Sequence, residues 1–338
     1  MTTVYVREQG AVVRKRGEKL VITKEDREVD SIPLVNLDQV ALVGNVQLTT
    51  PAAALLLGQD VDVVFFSQYF KYRGRLVGIG SKNAALRVAQ LRTMTDERRA
   101  LAIARQVVIG KLTNQRLIMQ RQAAQRGAGP AGGALRQAVE GIAGMRTAAE
   151  KAESLDSLRG YEGKAGAYYF GAVKALLDPR WGFQGRAYYP PPDPINAALS
   201  LGYALLLKDV TAAVQLVGMD PYLGFFHVIE YGRPSLALDV MEEFRPLLVD
   251  TVVLAMAHDG ALTPGDFVQT GDAKRPVQMA EAGMRRLIEG YERRLETTLR
   301  HPLSGDQVTY RRTLELQVRQ MAAIVEGRSE RYVPIEMR

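Results

Sequence analysis

Apolar and polar residues alternate in short runs over the first 80 positions: Val4–Val6, Ala11–Val13, Lys19–Thr23 and Glu28–Leu34, interrupted by Gly10, Gly17 and a charged turn at Lys24–Arg27. A period of two predicts strands with one buried face, and Gln39–Val43, Val61–Phe66 and Gly74–Ile79 continue the series. Thr50–Gly58 (TPAAALLLG) interrupts it and predicts a short helix with a threonine cap and a glycine stop. Beyond Lys82 the spacing changes to 3.6. Asn83–Gln125, Ala134–Leu158, Glu162–Leu177, Ile195–Val217, Leu236–His258, Pro276–Arg300 and Tyr310–Ile324 all predict helices. A Gly-rich loop (Gly127–Gly133) and a Pro- and aromatic-rich stretch (Pro179–Pro194) follow neither period. The expected fold is α+β: a β-rich domain over residues 1–81, then a larger, mainly α-helical domain over 82–338.

Composition narrows the chemistry. The 338 residues include no cysteine, which excludes disulfides, thiolate metal sites, iron–sulfur clusters and cysteine nucleophiles. Three histidines (His227, His258 and His301) are too few for a histidine-rich site, so any metal must rest mainly on carboxylates. The formal charge is +7, from 44 basic and 37 acidic residues, and it is unevenly placed. Residues 1–81 carry +1, residues 82–126 carry +8 and the rest carries −2. A local excess of this kind suits an anionic partner. The first residues lack the pattern of a signal peptide, and no charge-free apolar run reaches 18 residues. A soluble, cytoplasmic protein with no membrane association is the expectation.

Three windows hold the candidate chemistry. In 220–246 (DPYLGFFHVIEYGRPSLALDVMEEFRP), His227 precedes a helix that Ser235 is placed to cap, with Asp239 and Glu242 one turn apart on one face. From spacing alone two readings stand: a packing histidine beside a solvated acidic face, or an imidazole meeting carboxylates that suit Mg²⁺ or Mn²⁺. In 158–170 (LRGYEGKAGAYYF), Glu162 lies between Gly160 and Gly163 at an expected helix start, as a dipole-stabilising acid or as a third carboxylate. In 190–206 (PPPDPINAALSLGYALL), Asn196 and Ser200 share a helix face, for capping or for contact with a substrate. Arg159, Arg233 and Arg245 flank the acidic motifs as phosphate holders or salt bridges, and Tyr168, Tyr169 and Phe170 are core residues or a stacking platform. His258 reads as a helix-end residue and His301 as a loop residue. GxxxxGK[ST], HExxH, GxSxG and a Rossmann fingerprint in a βαβ setting are absent.

These windows, in this order and spacing, resemble those of one family: the CRISPR-associated endonuclease that serves as integrase in the adaptation step, the universal large adaptation protein. The likeness extends through Leu34–Leu76 and the tail YRRTLELQVRQMAAIVEGRSERYVPI, and so covers essentially the whole chain. It implies that Glu162, His227 and Glu242 bind a divalent ion, Mg²⁺ or Mn²⁺, with Asp239 as a further acidic catalytic residue. The third metal position is aspartate in some members and glutamate here. It also implies a homodimer formed largely through the N-terminal half, and assembly with a small partner, the other universal adaptation protein. The implied activity is insertion of short DNA duplexes (prespacers) into a repeat array without ATP, with cleavage of branched or single-stranded DNA by the same site. A DNA-binding subunit without turnover and an unrelated basic helical oligomer are the competing readings. The first leaves the intact Glu162, His227 and Glu242 unexplained, and the second leaves the three ordered motifs unexplained.

Overall fold

The computed structural model describes residues 2–337 apart from 36, 60, 71, 77, 79–82 and 128. The chain divides into two compact units, Met1–Lys82 and Asn83–Arg338. The first is β-rich and the second, larger one is mainly α-helical. The expected boundary between residues 81 and 82 lies outside the described residues.

The first unit contains β1 (Thr2–Val6), β2 (Val12–Arg16), β3 (Lys19–Lys24), β4 (Arg27–Pro33), β5 (Leu37–Val43), β6 (Gln47–Leu48), α1 (Thr50–Gly58), β7 (Asp62–Phe66) and β8 (Tyr72–Leu76). One sheet has the order β1-β5-β7-β8, parallel except for the β7–β8 pair. The other has the order β4-β3-β2-β6, an antiparallel meander with β6 added in parallel. Lys24 pairs with Arg27 across a two-residue turn whose Glu25 and Asp26 both take positive φ, 48° and 58°, as a tight hairpin requires. Alternate residues of both sheets, among them Val13, Leu20, Ile22, Leu42 and Val63, close over Leu56 of α1 as one apolar core. Strand β6 is too short to show a period. The end of the expected strand Gly74–Ile79 falls partly outside the described residues.

The second unit begins with α2 (Ala84–Thr95), α3 (Glu97–Arg126), α4 (Pro130–Glu150), α5 (Leu155–Leu176) and α6 (Pro194–Val217). It continues with α7 (Ser235–Phe244), a wide π-type turn over Arg245–Asp250, and α8 (Thr251–His258). Two small hairpins, β9 (Phe267–Gln269) with β10 (Val277–Met279) and β11 (Thr298–Arg300) with β12 (Gln307–Thr309), flank α9 (Glu281–Leu295), and α10 (Tyr310–Val325) follows. The helix expected over Asn83–Gln125 is broken at Asp96, whose carboxylate caps α3 by accepting from Arg98 N and Arg99 N at 3.1 Å. Pro276–Arg300 is helical only in its middle and ends in strands. Glu162 lies in the interior of α5 and not at its start, because Ser154 and Ser157 form a capping box seven residues earlier than expected. α6 is the one described helix long and apolar enough to cross a membrane, and two-thirds of its apolar window is buried. It also carries the buried pair Lys208–Asp209, 3.0 Å apart.

Helix α3 runs through this unit against α4, α5 and α7. Its Asn114 donates to Glu243 O at 3.0 Å and to Ile335 O at 2.8 Å, and accepts from Met337 N at 2.9 Å, so Tyr332–Met337 is strapped across α3 and α7. Gly110 makes the close approach feasible, since a Cβ there would stand 2.3 Å from Pro334 Cβ. Ile335 N at 2.6 Å, Gln317 Nε2 at 3.0 Å and the Tyr332 hydroxyl all donate to Glu243. Burial pushes this carboxyl from the usual 4.5 up to about 7, with those donors opposing the rise. The folded protein therefore holds this proton more tightly than the unfolded chain. The resulting stability is complete below pH 4.5 and is lost as pH rises through 7. Glu243→Gln is expected to flatten the fall in urea midpoint across that window. An unchanged slope contradicts the assignment.

Candidate active site

Four elements of the second unit meet around α7. Asp239, 1% exposed, is its anchor. Its Oδ2 accepts from Phe225 N at 2.5 Å and Phe226 N at 3.0 Å, and its Oδ1 from His227 N at 2.9 Å. Three amides of the loop before α7 thus converge on one carboxylate, and Gly224 permits it: a Cβ there would lie 2.8 Å from Asp239 Oδ2 and 2.6 Å from the Ser235 carbonyl carbon. The same Oδ1 faces His227 Nδ1 at 2.7 Å. An oxygen already accepting an amide takes a hydrogen from Nδ1, which leaves Nε2 with its lone pair free. Nε2 stands 3.7 Å from Glu242 Oε1. From α5, Arg159 donates to Phe226 O through Nε at 3.1 Å and Nη2 at 2.8 Å, which ties the His227 loop to the helix that carries Glu162.

Glu162 and Glu242 meet through Lys111 of α3, whose ammonium pairs with Glu162 Oε1 and Glu242 Oε2. Arg245 Nε is 3.2 Å from Glu242 Oε1, and its guanidinium lies 4.7 Å above the Tyr203 ring. Burial pushes the Glu242 carboxyl up, but the cations Lys111 and Arg245 outweigh it and bring it down to about 2. Beyond α7, Pro246 has no N–H to donate to the Glu242 carbonyl, and the backbone widens there into the π-type turn. Glu242 is 3% exposed, whereas the side chains of His227 and Glu162 are 16% and 23% exposed, so the site opens on their side.

The expected residues Glu162, His227, Asp239 and Glu242 are therefore gathered into one cluster. Asp239 and Glu242 are buried, however, and not on a solvated helix face. Ser235 does not cap α7; its hydroxyl donates to Val228 O at 3.1 Å. Asn196 is enclosed by Asp193, Gly185, Arg186 and Ala187, and Ser200 meets Arg186 at 3.4 Å. Arg159 and Arg233 pair with Asp156 at 2.7 Å and Glu230 at 3.3 Å. Tyr168 lies over Gly141, and Tyr169 is fully buried. His258 ends α8, and His301 is 4% exposed with Nδ1 accepting from Ser304 N at 3.3 Å.

Sequence reasoning missed Lys111 by counting it in the basic stretch 82–126. The signal was there: Lys111 is the only charge between Arg105 and Arg116. Arg105 also turns inward, to Ala152 O at 2.8 Å, so among the described residues the exposed arginines of that stretch are Arg87, Arg92, Arg98, Arg99, Arg121 and Arg126.

Among the described residues, no three His, Asp or Glu side chains stand close enough as placed to enclose a metal ion. The donor set nonetheless fits a hard divalent cation: two carboxylates with a cation already between them and an imidazole nitrogen beside one of them. Two ligands of one such ion stand roughly 3–4 Å apart, which the His227–Glu242 separation of 3.7 Å meets.

Residues 4–293 match the family model described as CRISPR associated protein Cas1. The chain is 40% identical over 333 residues to a CRISPR-associated endonuclease Cas1 of Thermus thermophilus, covering 98% of each. It is 38% identical over 336 residues to a CRISPR-associated exonuclease Cas4/endonuclease Cas1 fusion of Rhodospirillum rubrum, covering 97% of this chain and 56% of that protein. The chain thus spans little more than half of that fusion and 59% of a similar one from Geobacter sulfurreducens. Among solved structures, a casposase bound to integration product has the same fold, with TM-score 0.85 and 22% identity over 100% of this chain and 95% of that one. A Cas6-RT-Cas1–Cas2 complex matches with TM-score 0.82 and 26% identity over 99% of this chain and 36% of that one.

Because Asp239 receives only donors, Asp239→Asn must aim an amide hydrogen at one of them. A loss of about 3 kcal/mol in stability is expected from denaturant unfolding. A loss below about 0.5 kcal/mol contradicts this role.

Proposed function

The chain belongs to the CRISPR-associated Cas1 family, and from that premise we propose that it is a divalent-metal-dependent DNA endonuclease and strand-transfer integrase that inserts short duplexes into a repeat array. The observation that carries the reading is the convergence of Glu162, His227 and Glu242 at one opening, with Asp239 fixing the imidazole. In this reading Glu162, His227 Nε2 and Glu242 hold Mg²⁺ or Mn²⁺. The ion, when bound, supplies polarisation of the scissile phosphate and a lowered pKa for the attacking hydroxyl. Asp239 keeps Nδ1 protonated, so that Nε2 is the nitrogen offered to the ion. Arg245 holds Glu242 ionised and in place.

The reaction is a transesterification. The 3′-oxygen of the incoming duplex forms a bond to phosphorus, the bond to a 3′-oxygen of the array breaks, and the proton passes from the attacking to the departing oxygen. One phosphodiester replaces another, so no ATP is consumed. With water as the nucleophile, the same site cleaves branched or single-stranded DNA. The arginines left outward on α2 and α3 serve DNA phosphates. A homodimer joined through the β-rich unit, and assembly with the small adaptation protein, complete the proposal. Its setting is the cytoplasm, where the array resides. The similarity to about a third of a chain in a Cas6-RT-Cas1–Cas2 complex supports the partner.

Glu162→Gln and His227→Ala are expected to lower Mn²⁺-dependent strand transfer on a plasmid bearing a repeat array by at least about a thousandfold, with duplex affinity nearly unchanged. Wild-type integration by either variant would refute the assignment. Duplex affinity should also fall steeply with salt, by at least about tenfold between 50 and 200 mM, as counterions are released. A flat dependence would remove the phosphate-facing role of α2 and α3.

A further inference from the structure

The metal-binding set Glu162, His227 and Glu242 encloses a charge that has no part in the proposed reaction. Lys111 has a side chain 11% exposed and ends in an ammonium between Glu162 Oε1 and Glu242 Oε2. Its ion pairs go to these two acids, one on α5 and one on α7. We propose that Lys111 is a resident counter-ion: it holds Glu162 and Glu242 together while the site is metal-free and yields their oxygens to the incoming divalent ion, thereby weakening and gating that ion's binding. This rests on the assignment of Glu162, His227 and Glu242 as the metal-binding set.

The charges are arranged for such an exchange. Glu242 has a second cation, Arg245, on its other oxygen, and Arg245 is fixed against Tyr203. Among the described residues, Lys111 is the one cation paired with Glu162. Without Lys111 and without metal, two carboxylates face each other in a low-dielectric cluster and repel. With a divalent ion present, the ammonium is a like charge at close range and opposes it. A lysine suits both states because its charge is a single point on a flexible four-carbon stem, able to withdraw without disturbing its helix. Removal of Lys111 therefore destabilises the metal-free protein more than the metal-loaded one, and the difference must appear as tighter metal binding. A lysine that merely packs the helices produces no such difference.

The test is calorimetric titration of the purified chain with MnCl₂, together with melting in EDTA and in saturating Mn²⁺, for wild type, Lys111→Gln, Lys111→Arg and Glu162→Gln. Lys111→Gln is expected to bind Mn²⁺ about tenfold more tightly than wild type or better, to melt lower in EDTA, and to recover most of that loss in Mn²⁺. Lys111→Arg, which keeps the charge, is expected to stay near the wild-type affinity, and Glu162→Gln to bind weakly. Equal or weaker binding by Lys111→Gln, or the same melting loss with and without Mn²⁺, overturns the proposal and leaves the metal assignment standing. Absence of Mn²⁺ binding by wild type overturns the assignment and the proposal together. If Lys111→Gln does not fold in EDTA, refolding on addition of Mn²⁺ is the expected result, and failure to refold counts against the proposal.

Discussion

Three carboxylates brought together inside a helical unit set the constraint to which the surrounding structure answers. Glu242 and Asp239 are almost wholly inaccessible, and Glu162 is mostly so. A buried carboxylate survives as an anion only when cations or hydrogen-bond donors compensate the water it loses. Each of the three is compensated differently. Asp239 uses backbone amides and an imidazole, Glu242 uses Lys111 and Arg245, and Glu162 uses Lys111. The differences match the proposed roles. The acid satisfied by fixed backbone donors is a rigid support, and the two that share the flexible Lys111 can change partners.

The scaffold follows from that demand. α3 carries the compensating lysine and packs on both helices that carry the glutamates. Arg159 joins the His227 loop to α5, and Gly224 allows the loop to close on Asp239. On the far side of α7, the acid adjacent to Glu242 is used for structure: Glu243 receives Tyr332, Gln317 and the Ile335 amide, and so fixes the strap over α3. Successive residues of one helix thus face the candidate site on one side and fix the fold on the other. This explains why both Glu242 and Glu243 are buried although a helical wheel gives them different faces.

Much of this could be read from the chain. The change of period from two to 3.6 distinguishes a β-rich part from a mainly helical one, because strands with one buried face and amphipathic helices each leave a repeating signature. Glu162, His227, Asp239 and Glu242 are singled out by the resemblance of their three ordered windows to one family, since spacing alone leaves a packing histidine and a solvated acidic face equally open. Local signals misled where tertiary contacts decide. Pro276–Arg300 has helical spacing, yet its ends pair as strands with Phe267–Gln269 and Gln307–Thr309. Ser235 looked like a cap, but the turn that precedes it directs its hydroxyl to Val228. Lys111 was hidden for another reason: charge counted along a helix does not show which side of the helix each residue occupies. A surface reading of the +8 stretch absorbed the one member that points into the site.

The central claim is that a divalent ion is held by Glu162, His227 and Glu242 in the position now bridged by Lys111. The most direct measurement is anomalous diffraction at the manganese edge from crystals of the protein soaked in Mn²⁺. The account predicts one peak within about 2.0–2.3 Å of a Glu162 oxygen, His227 Nε2 and a Glu242 oxygen, with the Lys111 ammonium moved out of contact with at least one of the two glutamates. A peak elsewhere, or one that forms while Lys111 keeps both ion pairs, would contradict it.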